Sequence, residues 1–409
     1  MRRSYLISFF FILCINVYAQ DVFEYHRSSM YSLLLKHENK EFNNEIVAAF
    51  KNVPMPDKFD DHNLSKRVFN AAILQKESND SNGLDQKKHI DQILAKNAIP
   101  RRLIAKWFNY SKDGLFDCNL LIKRGFYNAN AFEVDLADKT IRGRNGIIDD
   151  AGKELIANTY IVVHDVEYYD KRETSSLVSG VAALTGTIAS LVVPGASDMI
   201  ELATKTSIIT AESFAGFKVS VTSYLYKLDW NEEIEGTFYK EYYTTKIDEN
   251  KKTRFNKDKS LFTASYIGKE TIYSGITSLK GVNGRDEFFK KVCTRAIDRA
   301  VAQLQKSYEV FRVKTPLLST EPITAKIGIK EGVGLDSRFE VLEVSEVNGK
   351  THYERVGVIK PKENKIWDNR YLAEFEDENK DKTLTATEFE KVSGKDFYPG
   401  MLIREINDN

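Results

Sequence analysis

At 409 residues, with 42% hydrophobic and 11% aromatic positions, the chain is long enough for two or three domains with ordinary globular cores. Fifty-nine Lys and Arg balance 59 Asp and Glu, which leaves no electrostatic footprint for nucleic acid and no global attraction to anionic lipid.

The chain opens on three zones in the order of a secretory signal. Arg2 and Arg3 are positive, Leu6 to Ile15 is apolar, and Val17-Tyr18-Ala19 places small residues at the cleavage positions. Residues 1–19 are therefore expected to be removed, and the mature chain is expected in the periplasm, at the outer membrane or outside the cell. Phe11-Ile12-Leu13 is too bulky for a lipoprotein signal at Cys14, and the Phe-rich core favours the general secretory route. Cys118 and Cys293 remain, with export permitting a disulfide and the apolar setting of Cys293 favouring a buried thiol.

Residues 20–148 read as a mainly helical region. Met30-Leu33-Leu34, Ile46-Val47-Phe50, Val68-Ala71-Ala72 and Ile90-Ile93-Leu94 recur at threes and fours, and Pro100 suits a helix start. Residues 149–315 read as a central α/β domain. Tyr160 to Val166 is β-branched and strand-like, Phe217 to Trp230 alternates, and Ile234 to Thr245 is expected to follow as the second arm of a hairpin. Asp286 to Phe311 carries the strongest helical stripe, through Phe289, Cys293, Ala296, Ile297, Ala300, Val301 and Leu304. Within this domain lies an insertion, 174–216. Its stretch 174–197 has no charge and is rich in Gly, Ala, Ser and Thr, so it either packs against the sheet or another subunit or faces a membrane.

Residues 316–409 read as short strands. Asn348-Gly349 is a hairpin signal between Phe339–Val347 and Thr351–Ile359, and Pro399-Gly400 turns into a last strand. The expected fold class is α+β: a helical N-terminal region, a central α/β domain with a small mixed sheet, and a small SH3-like β-barrel at the C-terminus.

Catalytic motifs for a nucleophile elbow, phosphate loop, dinucleotide fold or zinc helix are missing from the chain. The six histidines are scattered singly, and His164 and Asp165, as strand neighbours, should point to opposite faces. The aromatics Tyr224, Tyr226, Trp230, Phe238, Tyr239, Tyr242 and Tyr243 would either pack across strands or bind carbohydrate or protein.

One stretch has metal-ligand spacing. Asp377, Asn379 and Asp381, the carbonyl of Thr383, a water on Thr385 and a closing carboxylate at Glu388 follow the order of the EF-hand loop, which they resemble. The stretch reads either as a solvated acidic loop joining two strands or as a calcium loop with an affinity of roughly 10⁻⁴–10⁻³ M, and no other cofactor is expected. Lys382 stands where that loop takes Gly, and the motif is single.

The order of strands Tyr160–Tyr169, Phe217–Trp230 and Ile234–Thr245, followed by the helix ending Ala300-Val301-Ala302-Gln303-Leu304, resembles the periplasmic domain of the curli secretion channel family. Gly328-Ile329-Lys330-Glu331-Gly332-Val333 before Arg338-Phe339-Glu340-Val341 is similar to the last domain of flagellar outer-ring assembly proteins. The whole chain looks like exported proteins of unknown function from Gram-negative bacteria. These resemblances imply a non-catalytic envelope protein that assembles with itself or an envelope partner. A secreted hydrolase with an unidentified carboxylate site and a calcium-binding module are the alternatives.

Overall fold

The computed structural model describes residues 28–37, 41–56, 58–71, 85–128, 154–170, 217–276, 284–312, 314–347, 350–370 and 384–406. The signal segment and the insertion 174–216 lie outside them. Among the described residues no helix is long and apolar enough to cross a membrane.

The fold is α+β, with one mixed and one antiparallel sheet. In chain order the first part contains β1 (Ser28–Lys36), α1 (Asn43–Asn52), β2 (Phe59–Asp61), β3 (Val68–Asn70), α2 (Asp85–Lys96), α3 (Ile99–Trp107) and α4 (Asn119–Asn128). There follow β4 (Thr159–Asp170), β5 (Phe217–Leu228), α5 (Glu232–Glu241), α6 (Glu249–Lys257), β6 (Ala264–Ile276) and α7 (Arg285–Ser307). The last part is β7 (Thr315–Thr320), β8 (Ile323–Ala325), β9 (Phe339–Val347), β10 (Lys350–Pro361), β11 (Thr387–Gly394) and β12 (Leu402–Glu405).

The expected helix around Met30, Leu33 and Leu34 is instead the strand β1. It runs parallel to β4 on one side and to β2 and β3 on the other. A strand covered on both faces buries its residues on both sides, as β1 does with Tyr31, Leu33, Leu34 and Leu35, and such a largely apolar run also satisfies a three-four spacing. Tyr31, Leu33 and Leu35 enter the core on one face; Leu34 and Met30 enter the cores on the other. The boundary expected at 148/149 therefore cuts through one sheet, because β1 belongs with the strands of the central domain.

A second correction concerns Ile234 to Thr245. Asn231 accepts from the Ile234 amide as an N-cap, and Glu232, Glu233 and Glu235 fill the first turn, so the segment forms α5 rather than a hairpin arm. The antiparallel partner of β5 is β6, with Val221 opposite Ile272 and a bulge between Leu225 and Tyr226. The sheet order is β2-β1-β4-β5-β6.

Helices cover both faces. On one, Ile90, Ile93, Leu103, Ile104 and Trp107 from α2 and α3 pack on Ile161, Val163 and Tyr226. On the other, α1 and α7 bring Ile46, Phe50, Phe289, Cys293, Ala296 and Ala300 onto Val166, Val219 and Val221. The helix expected at Asp286–Phe311 is present as α7, with its apolar stripe buried as expected.

In the second sheet every pairing is antiparallel and the strands join in a cycle, β10-β11-β8-β7-β12-β9 and back to β10. The hairpin around Asn348-Gly349 pairs Val347 with Lys350, as its turn signal predicts. Lys330 reaches Asp298 of α7 at 2.8 Å, a contact with 15% and 3% side-chain exposure that fixes the cycle to the helix. Arg312 adds a second tie, donating to the Lys306 and Gln305 carbonyls at the end of α7 and to the Glu405 carbonyl on β12.

Candidate functional site

Two places in the fold have the geometry of a site: the carboxyl end of the parallel strands, and the outer edge of β6. At the first, Leu35 of β1 lies opposite Asp165 of β4, so His37, two residues on, shares the face of the Asp165 side chain. The imidazole Nε2 meets Asp165 Oδ1 at 2.5 Å, and the Gln86 amide from the first turn of α2 donates to Oδ2 at 2.9 Å. Both members of the pair are mostly covered. The chain leaves β1 for α1 on one face of the sheet and leaves β3 for α2 on the other, so this pair sits where outgoing connections diverge, a place where open α/β sheets bind ligands. With Asp165 accepting from Nε2, the neutral ring presents Nδ1 as an acceptor, which is the geometry of an oriented base. Asp165 is the sole described partner of His37.

Around the pair the same face is polar. The Tyr224 phenol is pushed up by burial, with Asp165 and Glu167 adding to the effect. Tyr226 donates to Asp91 at 2.9 Å, Asp91 also takes Lys87 at 2.7 Å, and Thr222 and Thr271 hydrogen-bond across β5 and β6 at 2.9 Å. Sequence reasoning did not join His37 to Asp165, which are 128 positions apart. The neighbour His164 does face the other way, fully buried against the Ser223 hydroxyl at 2.7 Å.

A second buried network also escaped the sequence. Arg124 donates to His62 Nδ1 at 2.9 Å, to Ser29 Oγ at 3.1 Å and to the Asp61 carbonyl at 2.9 Å, while His62 Nε2 faces the Leu103 carbonyl at 3.0 Å. The ring stacks on Trp107 at 4.7 Å. Mostly covered, this network ties α4 and α3 to the amino end of the sheet.

Of the expected calcium ligands, Asp377, Asn379, Asp381 and Thr383 lie outside the described residues. Glu388 lies on β11, where its carboxylate is paired with Lys362 and its backbone bonds Lys365 and Lys362. Among the described residues no three metal-ligating side chains gather. The tyrosines and phenylalanines of 224–243 are mostly packed: Phe238 contacts Phe108, Phe116 and Trp230, and Tyr242 donates to Asp258 at 2.6 Å. Tyr239 is the exposed member of this group, at 38%. Cys118 and Cys293 are free thiols in separate cores on opposite faces of the sheet.

Where α7 meets the cycle of strands, a cavity of about 30 Å³ is lined by Lys58, Lys306, Arg312, Glu331, Arg404 and Glu405 among others. That is room for a water or two, so the place is a joint rather than a ligand pocket.

The second site is an edge. β6 is 13 residues long and pairs with β5 on its inner side. No described strand pairs with its outer side. The other sheet, being a cycle, offers no such edge.

No protein-family model matches the chain, and no curated protein matches it.

Proposed function

We propose that this is an exported envelope protein of the periplasm or outer membrane that works by assembling with itself or with an envelope partner. The observation that supports it best is the outer edge of β6, a long row of strand backbone that no described strand pairs with. The ties between α7 and the second sheet support the same reading, since they join the two folded units through charged contacts. We read the closed antiparallel cycle as a small SH3-like barrel, as the resemblance to flagellar outer-ring assembly proteins implies. Membrane contact through 174–197 belongs to this proposal and rests on composition alone. Chemical cross-linking of intact envelopes is the test. Species larger than the 46.8 kDa chain are expected, and a chain that stays single at every cross-linker dose overturns the reading.

A second reading, a hydrolase, is favoured by the His37–Asp165–Gln86 arrangement. Its test is an activity screen beside His37→Ala, where any hydrolysis lost in the variant supports it. Calcium at 377–388 is a separate proposal supported by oxygen spacing. Calorimetry at millimolar calcium should give heat that Glu388→Gln loses; no heat from the native chain ends it.

A further inference from the structure

The open edge has a sequence that is nearly its own reverse. Ala264-Ser265-Tyr266-Ile267 is mirrored by Ile272-Tyr273-Ser274-Gly275. In a regular strand such mirrored residues, an odd number of positions apart, would stand on opposite faces and could not meet in a symmetric pair. The bulge changes this. Tyr266 lies opposite Tyr226 and Tyr273 opposite Ser220, and since 226 and 220 differ by an even number, both tyrosines stand on one face. Ile267 and Ile272 both pack on the other, beneath α7.

The direction of the outward groups is marked by Tyr308, which follows α7. Its ring lies against Gly268, where an added Cβ would fall 2.2 Å from the hydroxyl, and that hydroxyl donates to the Lys269 carbonyl at 2.9 Å. Lys269 thus turns its backbone away from β5, and in an antiparallel ladder Thr271 and Tyr273 turn with it.

We propose that the outer edge of β6 pairs antiparallel with β6 of a second copy, about a two-fold axis at Glu270. The inference rests on the assembly reading and names its partner. Lys269 then faces Thr271 of the second copy as a hydrogen-bonded pair, and Tyr266 faces Tyr273. Ile272 meets the bulge at Ile267 and Gly268, so the bulge that fixes the faces also fixes the register. Each contact off the axis occurs twice, as a two-fold interface requires. Two features oppose the pairing and set its strength. Glu270 meets its own copy at the axis, and like charges directly opposite weaken a strand pair. The Tyr308 hydroxyl occupies the Lys269 carbonyl and must release it.

The test uses the full mature chain with Cys118→Ser to remove the half-buried thiol. Glu270→Cys places two sulfurs across the axis, within the Cα separation a disulfide needs. Mild oxidation is expected to link Glu270→Cys into a covalent dimer at least tenfold faster than Tyr239→Cys, an exposed control on α5. In sedimentation, Glu270→Gln and Tyr308→Phe should each raise the dimer fraction several-fold at fixed concentration. Equal linking at the two cysteines, or no change in either variant, overturns the pairing. If the native chain still cross-links in envelopes in that case, the assembly reading stands without this edge. A chain single in both experiments removes both.

Discussion

Burial leaves His164 without water and, with the charge of Arg67 adding to it, pushes its imidazole down to about 3. His62 is also held well below its ordinary value by burial, reinforced by Arg124 and Lys106. An unfolded histidine titrates near 6.5, so between that value and the folded one the unfolded state binds the extra proton. Stability is therefore fully present above pH 6.5 and falls as pH drops toward 3, by about 1.4 kcal/mol per pH unit for each such histidine. Urea melts of the mature chain from pH 7 to pH 4 should show this decline, and His164→Gln should remove about one proton's worth of slope. A slope unchanged in that variant would mean His164 is protonated in the fold. The two thiols give a second residue-scale expectation. Burial pushes the Cys293 thiol up and its core closes around it, whereas Cys118 is half-buried beside the Tyr243 hydroxyl at 3.6 Å. A thiol reagent should modify Cys118 in the folded protein and reach Cys293 on unfolding.

At the scale of elements, α7 carries the largest share of contacts between layers, and its weak point is electrostatic. Lys330→Met would take the Lys330 cation from the buried Asp298 carboxylate, and removing one partner of a buried pair costs roughly 3–5 kcal/mol. Urea midpoints should fall accordingly. The double variant Lys330→Met with Asp298→Leu should recover much of the loss, because neither member of this pair is then left as a lone buried charge. α7 was legible in the sequence because a one-faced stripe over six turns has no competing strand interpretation. β4, β5 and the Asn348-Gly349 hairpin were legible through β-branched alternation and turn chemistry. β1 was not, because a strand buried on both faces has no alternation to read. α5 was misread because its aromatics suggested a strand, although Asn231 followed by three glutamates is a helix-start signal that residue counting finds. β6 passed unnoticed: Gly268 and the bulge interrupt its period, and its charged centre dilutes its apolar residues. For the same reason the edge site was invisible, since an edge is a property of sheet order rather than of any segment. The His37–Asp165 pair required tertiary structure, as no spacing rule links residues that far apart.

For the molecule as a whole, the rigid joint between the sheet layer and the antiparallel cycle predicts a single cooperative transition. Lys330, Arg312 and Arg404 cross that joint, the last reaching Glu309 beside α7 and holding Glu340 on β9. Calorimetry should therefore give one melting peak with equal calorimetric and van't Hoff enthalpies. Two resolved peaks would show that the units melt separately.

The parallel pairing of β1 with β4 has a consequence for timing. The first described strand is an interior strand of its sheet, and its neighbour on one side is made more than a hundred residues later. Until that neighbour emerges from the ribosome, β1 has no β4 to lie against, and afterwards the loop to be closed is long, which slows folding. On the export proposed above, the polypeptide would have to stay threadable for as long as passage through a translocation pore takes. In this chain that delay is written into the strand order: Leu33 cannot meet Val163 early, so the unfolded interval is lengthened without any chaperone being specified. Stopped-flow refolding followed through the buried Trp107 should accordingly be slow, with its main phase in about milliseconds to seconds rather than microseconds.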